Sequence, residues 1–181
     1  MKTVMTTLYM ILMLMALAAF GRTTDPLVLA ALSNDSRAVK GILAAGSYVD
    51  VRDSLGRTPL MVAASKDETE MVTSLLEKGA NVNATDLTGR TPIMYAAWKG
   101  QTKTAAILIM NGADLNARNV TGFTPLIYAA RFGNTQTAEL LLKKGADLNG
   151  KTDAGMTALA CAVCYGHIQT VNFLKDAGAK E

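Results

Sequence analysis

Asp86 to Arg118 reads DLTGRTPIMYAAWKGQTKTAAILIMNGADLNAR, and this 33-residue stretch holds every signal that returns elsewhere in the chain. Thr91 ahead of Pro92 is a helix N-cap followed by proline at the first helical position, where a missing N–H costs nothing. A first helix therefore starts near Pro92. It is short, because the turn signal Lys99-Gly100 arrives about two turns later. A second helix carries Thr104 to Met110, and Gly112 stops it by accepting the left-handed conformation just past its end. Ala96 and Ala97 lie midway along the first helix, small enough to let a neighbouring helix approach closely. Asn81 to Arg90, rich in Asn, Asp, Thr and Gly, reads as a projecting β-turn loop.

The same signals recur at intervals of 33 residues in both directions. Thr58-Pro59-Leu60, Thr91-Pro92-Ile93, Thr124-Pro125-Leu126 and Thr157-Ala158-Leu159 form one series, with Pro26-Leu27 one period upstream. Gly46, Gly79, Gly112, Gly145 and Gly178 form a second, and Gly56, Gly89, Gly122 and Gly155 a third. The pairs Ala30-Ala31, Ala63-Ala64, Ala96-Ala97 and Ala129-Ala130 are a fourth. No insertion or deletion breaks the phase, so first helices are expected near residues 59, 92, 125 and 158.

On these residues the chain resembles the ankyrin repeat: T-P-L-x-x-A-A, the G-A-D/N-x-N at the unit's end and the 33-residue step are all present from about Asp25 to Glu181. The resemblance implies an all-α, ankyrin-repeat solenoid of five helix-turn-helix units with β-turn fingers, at about 22–52, 53–85, 86–118, 119–151 and 152–181. Four departures are informative. The first unit lacks its finger. The second has Asp67-Glu68 where the family has Gly-His, which implies an inter-helix turn built differently. The last has Ala158 in place of Pro. Lys175 replaces the apolar residue of Leu43, Leu76, Ile109 and Leu142, a position that presses against the following unit, and so reads as an end cap.

Ahead of the repeats, residues 1–21 form a signal peptide by their pattern. Lys2 supplies the basic start, Leu8 to Phe20 is an uncharged apolar run, and small residues around Ala16 to Gly21 offer cleavage sites. The run is shorter than the ~20 residues a membrane span needs, so cleavage is favoured over a retained anchor, and no membrane association is expected afterwards. Export of so small an array, taken with the resemblance to ankyrin proteins, implies a bacterial periplasmic location, with secretion as second choice. The net charge of +3 over 181 residues is too small for a nucleic-acid binder. Two Cys and one His supply neither a disulfide framework nor a metal site, so no metal or other cofactor is expected. No Ser or Cys stands at motif spacing from a base, so an enzyme is not expected.

Two features could carry chemistry. Cys161 and Cys164 form C-A-V-C, a redox pair in one reading. In the other, Cys161 is a small core residue at the apolar position of Val62, Tyr95 and Tyr128. The second feature is a strip. In ankyrin arrays the fingertips and the exposed side of the first helices line a concave, protein-binding face. The matching positions here hold Arg57, Arg90 and Phe123 in the fingers, and Lys66, Trp98, Lys99, Arg131, Phe132 and Tyr165 on the helices. The only Trp and two of the four Phe fall on that one surface. Aromatics and Arg are the residue types enriched at binding hot spots, and apart from Asp153 the strip has no acid. The expectation is a non-catalytic, monomeric adaptor whose partner is another protein with an acidic patch. A thiol-redox protein and a membrane-tethered scaffold are the rival readings. His167, at the start of a second helix, is expected to make a structural hydrogen bond, and Asn83, which recurs as Asn116 and Asn149, implies a structural role as well.

Overall fold

The computed structural model describes residues 25–180, and the expected signal peptide lies outside them. Ten helices follow one another among the described residues: α1 (Pro26–Leu32), α2 (Ser36–Ala44), α3 (Pro59–Lys66), α4 (Thr69–Glu77), α5 (Pro92–Lys99), α6 (Thr102–Met110), α7 (Pro125–Arg131), α8 (Thr135–Lys143), α9 (Ala158–Cys164) and α10 (Ile168–Asp176). Each odd-numbered helix packs on the even-numbered one after it, and each also packs on its counterpart one period away. The result is an all-α repeat stack of two helical layers, with the fingers projecting between pairs.

The capping logic explains the first helices. Pro26, Pro59, Pro92 and Pro125 occupy the first helical turn, and Asp25, Thr58, Thr124 and Thr157 each accept a backbone N–H with the side chain. Thr91 keeps the same extended backbone, but its buried hydroxyl finds no partner. The second helices differ from the sequence expectation. They begin at Thr102 and Thr135, two residues earlier than the apolar runs suggest, because the Gly100 and Gly133 turns set their start: Thr102 N–H donates to Gly100 O and Thr135 N–H to Gly133 O.

That inter-helix turn corrects a second expectation. Asp67 takes the left-handed conformation (φ 59°) that Gly100, Gly133 and Gly166 take in later units, and Asn34 does the same at φ 62°. The Asp67-Glu68 turn is therefore built like the others, on a side chain type that tolerates this region. Asp67 also accepts from the Thr104 hydroxyl at 2.9 Å, which ties α6 to the preceding unit.

The core is a continuous row along the stack, with the alanine pairs and Leu27, Leu60, Ile93, Leu126 and Leu159 fully or almost fully buried. No unit could bury this row alone. Polar ladders bind the edges. Asp50, Asn83, Asn116 and Asn149 each accept the backbone N–H 31 residues on, from Asn81, Asp114, Asp147 and Lys180. This is the structural role expected of Asn83 and its repeats. Fingertips join directly, as Leu87 N–H donates to Leu55 O, Val120 N–H to Thr88 O and Asp153 N–H to Thr121 O. In the last unit Lys175 is exposed, as expected, and so are the apolar Val163 and Ile168.

Candidate functional site

The finger loops begin on an Asx turn. Asp86 Oδ1 accepts the N–H groups of Thr88 and Arg90 and the Thr88 hydroxyl, and Asp53 and Asn119 make the same turns one period either way. Four residues after the Asx side chain comes the residue that faces the first helix. Behind Asp53 and Asp86 that residue is arginine; behind Asn119 and Thr152 it is Phe123 and Met156. An acidic turn residue is thus accompanied by arginine four residues on, and a neutral one by an apolar side chain.

Arg57 Nε donates to Asp53 Oδ2 at 2.7 Å and Arg90 Nε to Asp86 Oδ2 at 2.9 Å, with both carboxylates almost wholly buried. The Tyr95 hydroxyl donates to Asp86 as well, at 2.7 Å. Burial pushes the Asp86 carboxyl up, but hydrogen bonds from the Arg90 backbone, Tyr95 and Thr88 outweigh it and hold its pKa at about 2. Burial and the neighbouring carboxylate push the Tyr95 hydroxyl far above its ordinary range.

Along the helix side, the aromatic residues expected on the strip do meet. Trp98 on α5 lies 5.8 Å from Phe132, just past α7, and 6.1 Å from Tyr95. Lys99 Nζ stands 4.7 Å from the Trp98 ring centroid, and Arg90 stacks on both Tyr95 and Trp98 at 5.0 and 5.6 Å. One unit on, Arg131 sits among Phe123, Phe132 and Tyr165, while Phe123 also packs on Tyr128 at 5.3 Å. Such contacts contribute about 0.5–1 kcal/mol each at exposed sites, so the side chains are held in place before anything docks. Phe132 and Tyr165 are 43% and 52% exposed, and Trp98 is half-buried with its ring against the strip rather than inside the stack.

The structure narrows the positive charge expected there. Arg57 and Arg90 are neutralised by their own fingers, and Lys66 Nζ donates to the Leu32 carbonyl. Asp153 pairs with Arg118 at 2.7 Å. Among the described residues Lys99 and Arg131 have no carboxylate partner.

Cys161 is buried and Cys164 exposed, both as free thiols. Burial pushes the Cys161 thiol up, opposite to the lowered pKa of a reactive thiolate. His167 Nε2 donates to Arg131 O at 2.9 Å, closing the end of α7, and Asn134 does likewise to Ala97 and Trp98 carbonyls at the end of α5. Among the described residues no helix is long and apolar enough to cross a membrane, and no group of three or more His, Cys, Asp or Glu could hold a metal ion.

Sequence reasoning did not find Asp53, Asp86 and Tyr95, which anchor this surface. The available signal was the coupled change from Asp-x-x-x-Arg to Asn119-x-x-x-Phe123 and Thr152-x-x-x-Met156. Residues 27–119 and 116–181 match a family model described as ankyrin repeats, three copies. A comparison with the curated proteins finds no match.

Proposed function

From the premise that the chain belongs to the ankyrin-repeat family, whose repeats form protein–protein interaction modules, we propose a non-catalytic adaptor that grips another protein on the concave face lined by its fingers and first helices. The observation that carries this reading is the run of partly exposed rings Trp98, Phe132 and Tyr165, the first two packed on each other and the last two joined through Arg131, with buried Tyr95 behind Trp98. It is interleaved with Arg131 and Lys99, neither of which has a carboxylate partner. Large rigid side chains already ordered by their neighbours lose little entropy on binding. The open cations favour a partner with an acidic patch. The basic, apolar and small-residue pattern of residues 1–21 supports action in the periplasm.

Affinity capture from a periplasmic extract tests the reading. The wild-type chain retains a discrete partner, and Trp98→Ala combined with Phe132→Ala loses it while keeping the helical signal of the folded stack. Equal capture by both chains would refute it.

A further inference from the structure

The three central first helices, α3, α5 and α7, each end on a cation: Lys66, Lys99 and Arg131. A positive charge at a helix C-terminus is favoured by the helix dipole, and that alone accounts for a cation there. It does not account for what surrounds the third. The Arg131 guanidinium carbon lies 4.9 Å from the Tyr165 ring centroid, 5.4 Å from Phe123 and 5.9 Å from Phe132. Rings attract the cation through their faces but offer no acceptor to its fork of N–H donors. Arg131 is half-buried, and among the described residues its side chain has no carboxylate partner. Arg90, by contrast, also stacks on two rings but spends its Nε on Asp86. Arg131 is thus a guanidinium fixed in place with its hydrogen-bonding edge unspent, and a planar carboxylate is the group that such a fork fits bidentately.

Spacing then constrains the ligand. Neighbouring packed helices stand about 8–10 Å apart, and a chain extended as polyproline II advances about 3.1 Å per residue and returns every third side chain to the same face. One step from Lys99 to Arg131 therefore matches about three residues of such a segment. Between the last two cations lies the bridged pair Trp98 and Phe132, an apolar seat for the side chains between the acids. We propose that the ligand is an extended acidic segment of a partner protein, with carboxylates recurring at every third residue, and that Arg131 anchors one of them. This proposal rests on the adaptor reading and names its partner's chemistry.

A displayed library of random 12-residue peptides, selected on the purified chain, provides the test. The expected result is enrichment of peptides carrying Asp or Glu at positions i and i+3. Their affinity falls at least tenfold for Arg131→Gln and is unchanged for Lys103→Gln on the outward side of α6, with both variants keeping the helical signal of the folded stack at the temperature of the binding assay. No enrichment, acids at i and i+7 (the helical match to one step) in place of i and i+3, or equal affinity for Arg131→Gln overturns the proposal. Peptides without acids that are nevertheless lost on Trp98→Ala overturn it and leave the adaptor reading standing. Peptides that keep binding both Arg131→Gln and Trp98→Ala overturn both.

Discussion

The Tyr95 hydroxyl and the Asp86 carboxylate meet at 2.7 Å in a site with almost no access to water, and the bond fastens a first helix to the finger that precedes it. Hydrogen bonds to a charged group contribute about 1.5–3 kcal/mol. Tyr95→Phe keeps the ring against Trp98 and removes only this bond. Its expected cost is about 2 kcal/mol, read from a urea midpoint, with the helical signal unchanged. A loss below a few tenths would show that the Arg90 and Thr88 bonds hold the finger unaided.

The same carboxylate sets an acid dependence. Its folded pKa of about 2 lies below the ordinary 3.8, so its contribution is fully present above the unfolded value and fades as pH falls toward 2. The shift corresponds to about 2 kcal/mol. Unfolding free energies of wild type and Asp86→Asn should therefore differ by about that much more at pH 6 than at pH 2. A gap that is constant across this range would contradict the bonding around Asp86.

Stacking makes a central apolar residue costly to remove. Leu108 on α6 is fully buried between neighbouring units, and Leu108→Ala should cost about 2–5 kcal/mol. A denaturation midpoint unmoved by that change would contradict the continuous core.

Two glycines separate strain from crowding. Gly122 and Gly155 share φ +77°, but a Cβ at Gly122 would lie 2.7 Å from Asp153 N, whereas one at Gly155 meets nothing within 4 Å. Gly155→Ala should cost about 1 kcal/mol for its backbone conformation alone, and Gly122→Ala distinctly more, because it also pushes adjacent fingertips apart. Equal melting temperatures would rule out that close approach.

The thiols give a further check. Cys164 should react at once with a chromogenic disulfide in the native protein, and Cys161 only after denaturant is added. Two slow thiols would place Cys164 inside the core, and none at all would revive a disulfide and the redox reading.

Helix starts at Pro59, Pro92 and Pro125 and stops at Gly79, Gly112 and Gly145 were legible because each depends on one residue's own backbone preference. The starts of α6 and α8 were not, since the Gln101 and Asn134 side chains do not cap the helices they begin and the preceding glycine turn sets the boundary. The clustering of Trp98, Phe132 and Tyr165 followed from repeat phase alone. The pairing of Arg57 and Arg90 did not, because periodicity reports which side a residue faces and not which partner lies across a loop. Tyr95 shows the same limit: its burial was readable from its apolar position, its bond to Asp86 was not.

The most direct measurement of the central claim is site-specific photocrosslinking in a periplasmic extract, with the photoreactive side chain placed at Tyr165 on the aromatic strip or at exposed Glu139 on α8. A discrete crosslinked partner from position 165 and none from position 139 is the predicted outcome. Crosslinking from position 139 alone, or from neither, would contradict a binding face built on Trp98, Arg131 and Phe132.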